Sequence, residues 1–267
     1  MMIQKQFISN LASKRLRIDK RGQEEFREIS IETGVIAKAE GSARVRIGKT
    51  EVIAGVKMSV GTPFPDTPDE GVLMVGAEFS PIASPDFEKG PPAEASIELA
   101  RVVDRGIRES GAMDVKKLCI KPKEKVWMVY VDIHIFNHAG NLIDAAGLAA
   151  IAALSTVKMP EYDEETGTVN YEKKHKKLPL KFKPIPVTVF RMGEALFLDP
   201  SLEEEDVMSI RLTVTTKDDG NLAAIQKGGP GSFSMGEIEK AFELSLRKGA
   251  EIREILDKAL KAKVEKE

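Results

Sequence analysis

The sequence predicts an α+β fold in two lobes with mixed β-sheets, on three observations. Stretches with period-two alternation come in groups. Each group is followed by a single helical stretch. The last stretch is a long amphipathic helix with its own start signal. The 267 residues suffice for one large domain, and 42% hydrophobic against 31% charged residues gives no sign of global disorder. We read residues 1–267 as a single domain with lobes of about 1–180 and 181–267.

Residues 1–15 read as a polar lead-in to a helix or arm. From Phe26 the pattern becomes strand-like. Ala43, Val45 and Ile47 point one way and Arg44 and Arg46 the other, and Gly48-Lys49 sits where a tight turn reverses the chain into EVIAGVKM. Residues 59–92 contain seven prolines and read as a long excursion around one further strand, GVLMVGAEF. A helix is expected to start at Pro92 and end by Gly111. A strand pair follows, KKLCIKPKEK and VWMVYVDIHIFN. Asp144 reads as the cap of DAAGLAAIAALSTV, stopped by Pro160, whose small residues suit close packing. The polar, charge-segregated stretch 159–179 reads as a long loop or hairpin. Three strands come next: PIPVTVFRMG, EALFLDPS and SIRLTVTTKDDGNLAAIQKG. Ser234, with Glu237 three residues on, forms a capping-box signature ahead of the final helix.

Composition narrows function. One cysteine, Cys119, excludes an internal disulfide framework and a cysteine-based zinc cluster, and points to a reducing, cytoplasmic setting. No apolar run has signal-peptide character, and the longest, 145–154, is about half a membrane span, so we expect no membrane partner. With a net charge of −2, any grip on nucleic acid must be a local basic patch on a near-neutral body.

Most candidate chemistry has a plainer explanation. His134 reads as a sheet histidine, and His134 and His138 lack helical i,i+4 zinc spacing. His175, in KKHKK, reads as solvated. The acidic run 203-EEED-206 reads as a solvated loop rather than a cation site, and 228-GGPGSFSMG-236, which lacks a GK[ST] ending, as a turn and cap. No metal or cofactor is expected. The stretch 98-ELARVVDRGIRESG-111 stands out. Arg101, Arg105 and Arg108, spaced four and three apart, share one helical face opposite Leu99, Val102, Val103 and Ile107. Spacing alone leaves two readings open. The row could be salt-bridged by Glu98, Asp104 and Glu109, at roughly 0.2–0.5 kcal/mol per pair, or it could be an anion site.

Several stretches together resemble the RNase PH family: 17-RIDKRGQEEFREISIETG-34, 40-EGSARVRIGKTEVIAGVK-57, 61-GTPFPDTPDEGVL-73, the ELARVVDRGIRESG helix and 198-LDPSLEEEDV-207. The last three look more specifically like the non-catalytic ring subunit of the archaeal exosome. One departure is Asp19-Lys20-Arg21 where the family usually has Asp-Gly-Arg, so Gly22 is a candidate to take over the turn. The resemblance implies an RNase PH-type two-lobed fold of mixed β-sheets and packed helices. It implies a hexameric ring, three copies of this chain alternating with three of a catalytic RNase PH-type sister, under RNA-binding cap subunits, degrading single-stranded RNA from its 3′ end with phosphate as nucleophile. Active members hold phosphate with a Gly-Ser/Thr-Arg element and place an acidic residue on a later strand. Here the first should fall at Gly140-Asn141-Leu142 and the second at Arg211. Leucine cannot offer bidentate donors, and a fixed cation cannot act as general acid or metal ligand. The resemblance therefore implies a non-catalytic subunit that builds the ring, shapes the sister's active site and holds the RNA backbone with Arg101, Arg105 and Arg108. An active phosphate-dependent exoribonuclease is the alternative.

Overall fold

In a computed structural model, residues 2–264 are described, apart from the side chains of residues 2–4, 174, 175, 263 and 264. His175's side chain lies outside that description. The chain runs α1 (Met2–Ser13), β1 (Ile29–Thr33), β2 (Gly41–Ile47), β3 (Thr50–Gly61), β4 (Val72–Phe79) and α2 (Glu94–Glu109). A 3₁₀ turn (Val115–Leu118), β5 (Cys119–Lys121), β6 (Lys125–Asn137), α3 (Leu142–Ser155), β7 (Lys158–Asp163) and β8 (Thr168–Lys177) follow. The last elements are β9 (Ile185–Met192), β10 (Ala195–Leu198), α4 (Leu202–Glu205), β11 (Ile210–Thr216), β12 (Leu222–Gly228) and α5 (Met235–Val264).

Three sheets form. The largest has the order β1-β2-β3-β6-β4, with β5 added to β6; it is antiparallel except where β4 lies parallel to β6. The second, β10-β9-β11-β12, is antiparallel, and β7 and β8 form a separate hairpin. The fold is thus the mixed-sheet α+β arrangement expected. As expected too, Ala43, Val45 and Ile47 face the core while Arg44 and Arg46 pair with Glu32 and Glu51 on the other face.

α3 sits between the two large sheets, packed on β2 and β3 on one side and β9 on the other. That explains its composition. Every residue from Ala145 to Leu154 is buried, and the helix lies so close that a side chain at Gly41 would meet the Ala153 carbonyl and Val157, and one at Gly147 would meet Pro186. One continuous apolar core runs through both sheets.

Five local expectations are corrected. α2 begins at Glu94, not Pro92, because Ala93 is the extended N-cap residue (ψ 168°). The stretch KKLCIKPKEK gives a 3₁₀ turn and a three-residue strand. SIRLTVTTKDDGNLAAIQKG is two strands, β11 and β12, reversed at a turn where Gly220 takes a φ of +79°. Asp144 does not cap α3. It lies inside the first turn and is buried, while the residue before the helix, Asn141, is left-handed (φ 58°, ψ 45°). Finally, Lys20 itself adopts a left-handed φ of +63°, so Gly22 does not take over the turn.

Candidate functional site: a cavity at the start of α3 and the outer face of α2

The chain between β6 and α3 makes a tight corner. Gly140, at φ +91°, lies so close to Pro200, Ser201 and Leu202 that no Cβ fits. The corner is held by Asp199. Its buried carboxylate accepts hydrogen bonds from the Arg27 backbone N–H (2.7 Å), the Arg27 Nε (2.8 Å) and Nη2 (2.7 Å), the Arg21 Nη1 (2.9 Å) and the Asn141 Nδ2 (2.9 Å). Burial alone would raise its pKa, but the Arg27 guanidinium and the other donors hold it below the ordinary aspartate range. Arg27 also donates to the carbonyls of Ala139 and Gly140, which ties the lead-in segment to the corner.

The three glutamates of 203-EEED-206 lie on α4, at about 100° per residue, and so face three directions. Glu203 is exposed. Glu204 is buried and forms the capping box with Ser201 and a bidentate pair with buried Arg17 (2.5 and 2.9 Å). Glu205 turns to α3 and accepts the Asn141 N–H at 2.7 Å. The expectation of a solvated run is therefore corrected: two of these acids are structural, and tertiary partners far along the chain recruit them. Among the described residues, no group of three or more His, Cys, Asp or Glu side chains is arranged to hold a metal.

Against this corner lies a cavity of about 220 Å³. Asn141, Leu142, Ile143, Glu205 and Met208 line one side, and Ala95, Glu98 and Leu99 of α2, Arg211 of β11, and Phe79 and Phe87 line the others. Asn141 and Leu142, far in sequence from Arg211, thus line the same cavity with it, and Gly140 is the residue before them. Arg211 donates from Nη2 to Glu98 at 2.6 Å. His138 stacks on Phe87 (12° between planes), and burial pushes its pKa down. Behind the wall, Asp144 accepts from the Thr188 N–H (3.1 Å), the Thr188 hydroxyl (2.7 Å) and the Asn141 Nδ2 (3.0 Å). Burial pushes its carboxyl up to about 7 despite these donors, and burial likewise pushes Glu205 up to about 7.

The arginine row lies on the outer face of α2, with Leu99, Val102, Val103 and Ile107 buried opposite. Of the three local pairs considered, one forms: Arg108 bonds Asp104 at 2.7 and 3.0 Å. Arg108 also donates to the Leu73 carbonyl on the outer edge of β4 (3.0 Å), so it ties the helix to the sheet edge. Arg101 and Arg105 are exposed and make no ion pair or hydrogen bond among the described residues. Arg105 lies beside a shallow crevice with Thr213, Thr215 and Gln226. None of the three arginines lines the cavity, but their helix supplies Glu98 to it.

His134 is the sheet histidine expected, half exposed and 3.4 Å from Glu78. The sequence reading missed Glu205, Asp144, Asp199 and Thr188. For Glu205 the only available signal was its place at the end of LDPSLEEE.

Residues 25–160 match the profile of the 3′ exoribonuclease family, domain 1, and residues 184–248 that of domain 2 of the same family. The chain belongs to this 3′ exoribonuclease (RNase PH) family. Within it, the chain is similar to the exosome complex component Rrp42 of Thermococcus gammatolerans, 51% identical over 255 residues, with 95% of this chain and 93% of the relative covered. It is also similar to Rrp42 of Pyrococcus horikoshii (50%; 97% and 95% covered) and of Methanosarcina mazei (49%; 94% and 92%). Among solved structures, a chain of the Archaeoglobus fulgidus exosome with RNA bound to the active site superposes with a TM-score of 0.88 at 46% identity, covering 94% of this chain and 97% of that one. A chain of an archaeal exosome core gives 0.85 at 43%, covering 96% of each. The mixed-sheet fold described above is thus shared with these archaeal exosome chains. No helix among the described residues is long and apolar enough to cross a membrane.

Proposed function

We propose that this chain is a non-catalytic component of an exosome: a cytoplasmic, phosphorolytic, 3′-to-5′ RNA-degrading ring in which it alternates with a catalytic RNase PH-type sister under RNA-binding cap subunits. In this reading residues 1–267 act as one two-lobed unit, with lobes at about 1–180 and 181–267. One observation carries the loss of catalysis. Leu142 and Arg211 line the same cavity, where the family resemblance expects a phosphate-binding arginine and an acid. An aliphatic side chain cannot bind phosphate, and a guanidinium already paired with Glu98 cannot act as a general acid. Each defect alone would suffice, and both lie at one site. The similarity to Rrp42 proteins along nearly the whole chain supports the exosome assignment.

The remaining task toward RNA is to hold its backbone. Exposed Arg101 and Arg105 are the groups for this, with Arg108 flanking them and fixing the helix; sequence-independent grip on a single strand needs phosphate contacts rather than base readout. The purified chain, given oligo(A) RNA and phosphate, is expected to release no ADP, and the ring assembled with the sister chain to release it. Robust ADP release by the chain alone would establish the alternative, an active exoribonuclease. In the assembled ring, Arg101→Ala with Arg105→Ala is expected to lower the log–log salt slope of RNA binding by about 0.7 for each phosphate no longer neutralised. An unchanged slope and affinity would mark the chain as a scaffold that does not touch RNA.

A further inference from the structure

Two positive features face the cavity. One is the N-terminus of α3, a 14-residue helix whose first N–H groups have no acceptor within the helix and whose dipole favours an anion. The other is the guanidinium of Arg211. Together they could hold an inorganic anion. One donor of each is already taken by a carboxyl group of the chain itself. Glu205 accepts the Asn141 N–H at the helix end (2.7 Å), and Glu98 accepts from Arg211 (2.6 Å).

Neither carboxylate is placed casually. Glu205 sits on a helix of one turn whose preceding residue, Glu204, is fixed twice: by the Ser201 capping box and by buried Arg17. With Glu204 fixed, the next residue is aimed at α3. Glu98 reaches the cavity from the first half of α2, which is held by buried Leu99, Val102 and Val103. No other cation compensates. Arg27, behind the wall, is committed to Asp199 and to the carbonyls of Ala139, Gly140 and Pro200, and burial disfavours the charged form of His138. Of the remaining lining, the Asn141 and Thr188 side-chain donors are turned to Asp144 and Asp199, and most of the rest is apolar.

We infer that this cavity is closed to phosphate by the chain's own Glu205 and Glu98, which stand where an anion's oxygens would bind. An entering phosphate would meet the Glu98 and Glu205 carboxyl groups at the Arg211 Nη2 and the Asn141 N–H, the donors nearest to them. The inference rests on the non-catalytic reading of the site and adds to it a second safeguard. Besides lacking the phosphate-binding arginine, the cavity repels the nucleophile.

The test is titration of the full-length chain with inorganic phosphate, followed by calorimetry and by thermal shift. The unmodified chain is expected to show no saturable binding. Glu98→Ala with Glu205→Ala frees the helix end and Arg211 together and is expected to gain about tenfold or more in phosphate affinity, each single substitution gaining less. Adding Arg211→Ala to the double variant is expected to abolish the gain, which places the anion in this cavity. Glu98→Gln with Glu205→Gln keeps volume and acceptors while removing both charges, and it serves where the alanine variant does not fold. Binding by the unmodified chain equal to that of the double variant would overturn the inference. So would the absence of any gain in a folded double variant, or a gain that survives loss of Arg211. Release of ADP from RNA by the unmodified chain would instead sink the non-catalytic reading, so the two failures are read from different assays.

Discussion

Asp144 offers the sharpest test of the site's electrostatics. It is 2% exposed, and its carboxyl is shifted from an ordinary 3.8 up to about 7, mainly by burial, with the nearby Asp199 charge adding to the rise. A carboxyl whose folded pKa lies above its unfolded one contributes most stability when protonated in both states. That contribution is lost as pH rises from the unfolded value to the folded value. A shift of about 3 units corresponds to roughly 4 kcal/mol over the window from about pH 4 to pH 7, more than half of it falling between pH 5 and pH 8. Asp144→Asn mimics the protonated acid. Its amide oxygen can accept from the Thr188 N–H and the Asn141 Nδ2, and its amide nitrogen can donate to the Thr188 hydroxyl, which then donates to Thr213 (2.9 Å). Urea unfolding at pH 5, 6, 7 and 8 measures both proteins. The natural chain is expected to lose about 2–3 kcal/mol more than the variant from pH 5 to pH 8. Parallel pH profiles would refute the reasoning and show that Asp144 stays ionised in the folded protein.

Further outcomes are expected. Arg17→Ala strands buried Glu204 without its partner and should cost about 3–5 kcal/mol in denaturant unfolding, far more than loss of the exposed Arg247–Glu24 pair. Gly140→Ala combines a φ of +91° with a backbone collision at Pro200 and should cost about 3 kcal/mol or more, or prevent folding, as read by circular dichroism. Lys20→Gly relieves a left-handed φ of +63° and should raise unfolding stability by up to about 1 kcal/mol. Leu142→Arg alone should not confer ADP release in the phosphorolysis assay, because Arg211, Glu98 and Glu205 still hold the cavity in its unreactive charge pattern.

What the sequence made legible follows the range of each interaction. Period-two alternation located β2 and β3 because the pleat alone decides which side chains are buried. The Ser234–Glu237 signature located the start of α5 because a capping box needs only four neighbouring residues, and both of its hydrogen bonds form. The start of α3 was misread for the opposite reason. Asp144 has the residue type of a cap, but its partner is Thr188, 44 residues away on β9, and the corner is set by an Asn141 that is left-handed because Asp199 and Glu205 hold it there. A local pattern cannot report a conformation fixed from a distance.

The same division runs through the site. Helical spacing correctly put Arg101, Arg105 and Arg108 on one face, yet it could not separate them. Arg108 is distinguished by the Leu73 carbonyl on a sheet edge 35 residues away, which leaves Arg101 and Arg105 as the two exposed, unengaged guanidinium groups. The acidic run looked solvated because three adjacent glutamates usually are. On a one-turn helix they are instead dealt to three directions, and two of those directions hold a buried arginine and a helix N-terminus. Leu142 and Arg211 carried no signal as individual residues; only the family pattern marked them, and only the fold brings them into one cavity. The consequence is physical. On the proposed reading the cavity lacks a phosphate-binding arginine, yet a helix dipole and a guanidinium at it would still favour anions unless something else engaged them. Glu205 takes the Asn141 N–H and Glu98 pairs with Arg211, so in the proposed reading the charge balance of the cavity adds to the missing residues in keeping phosphate out.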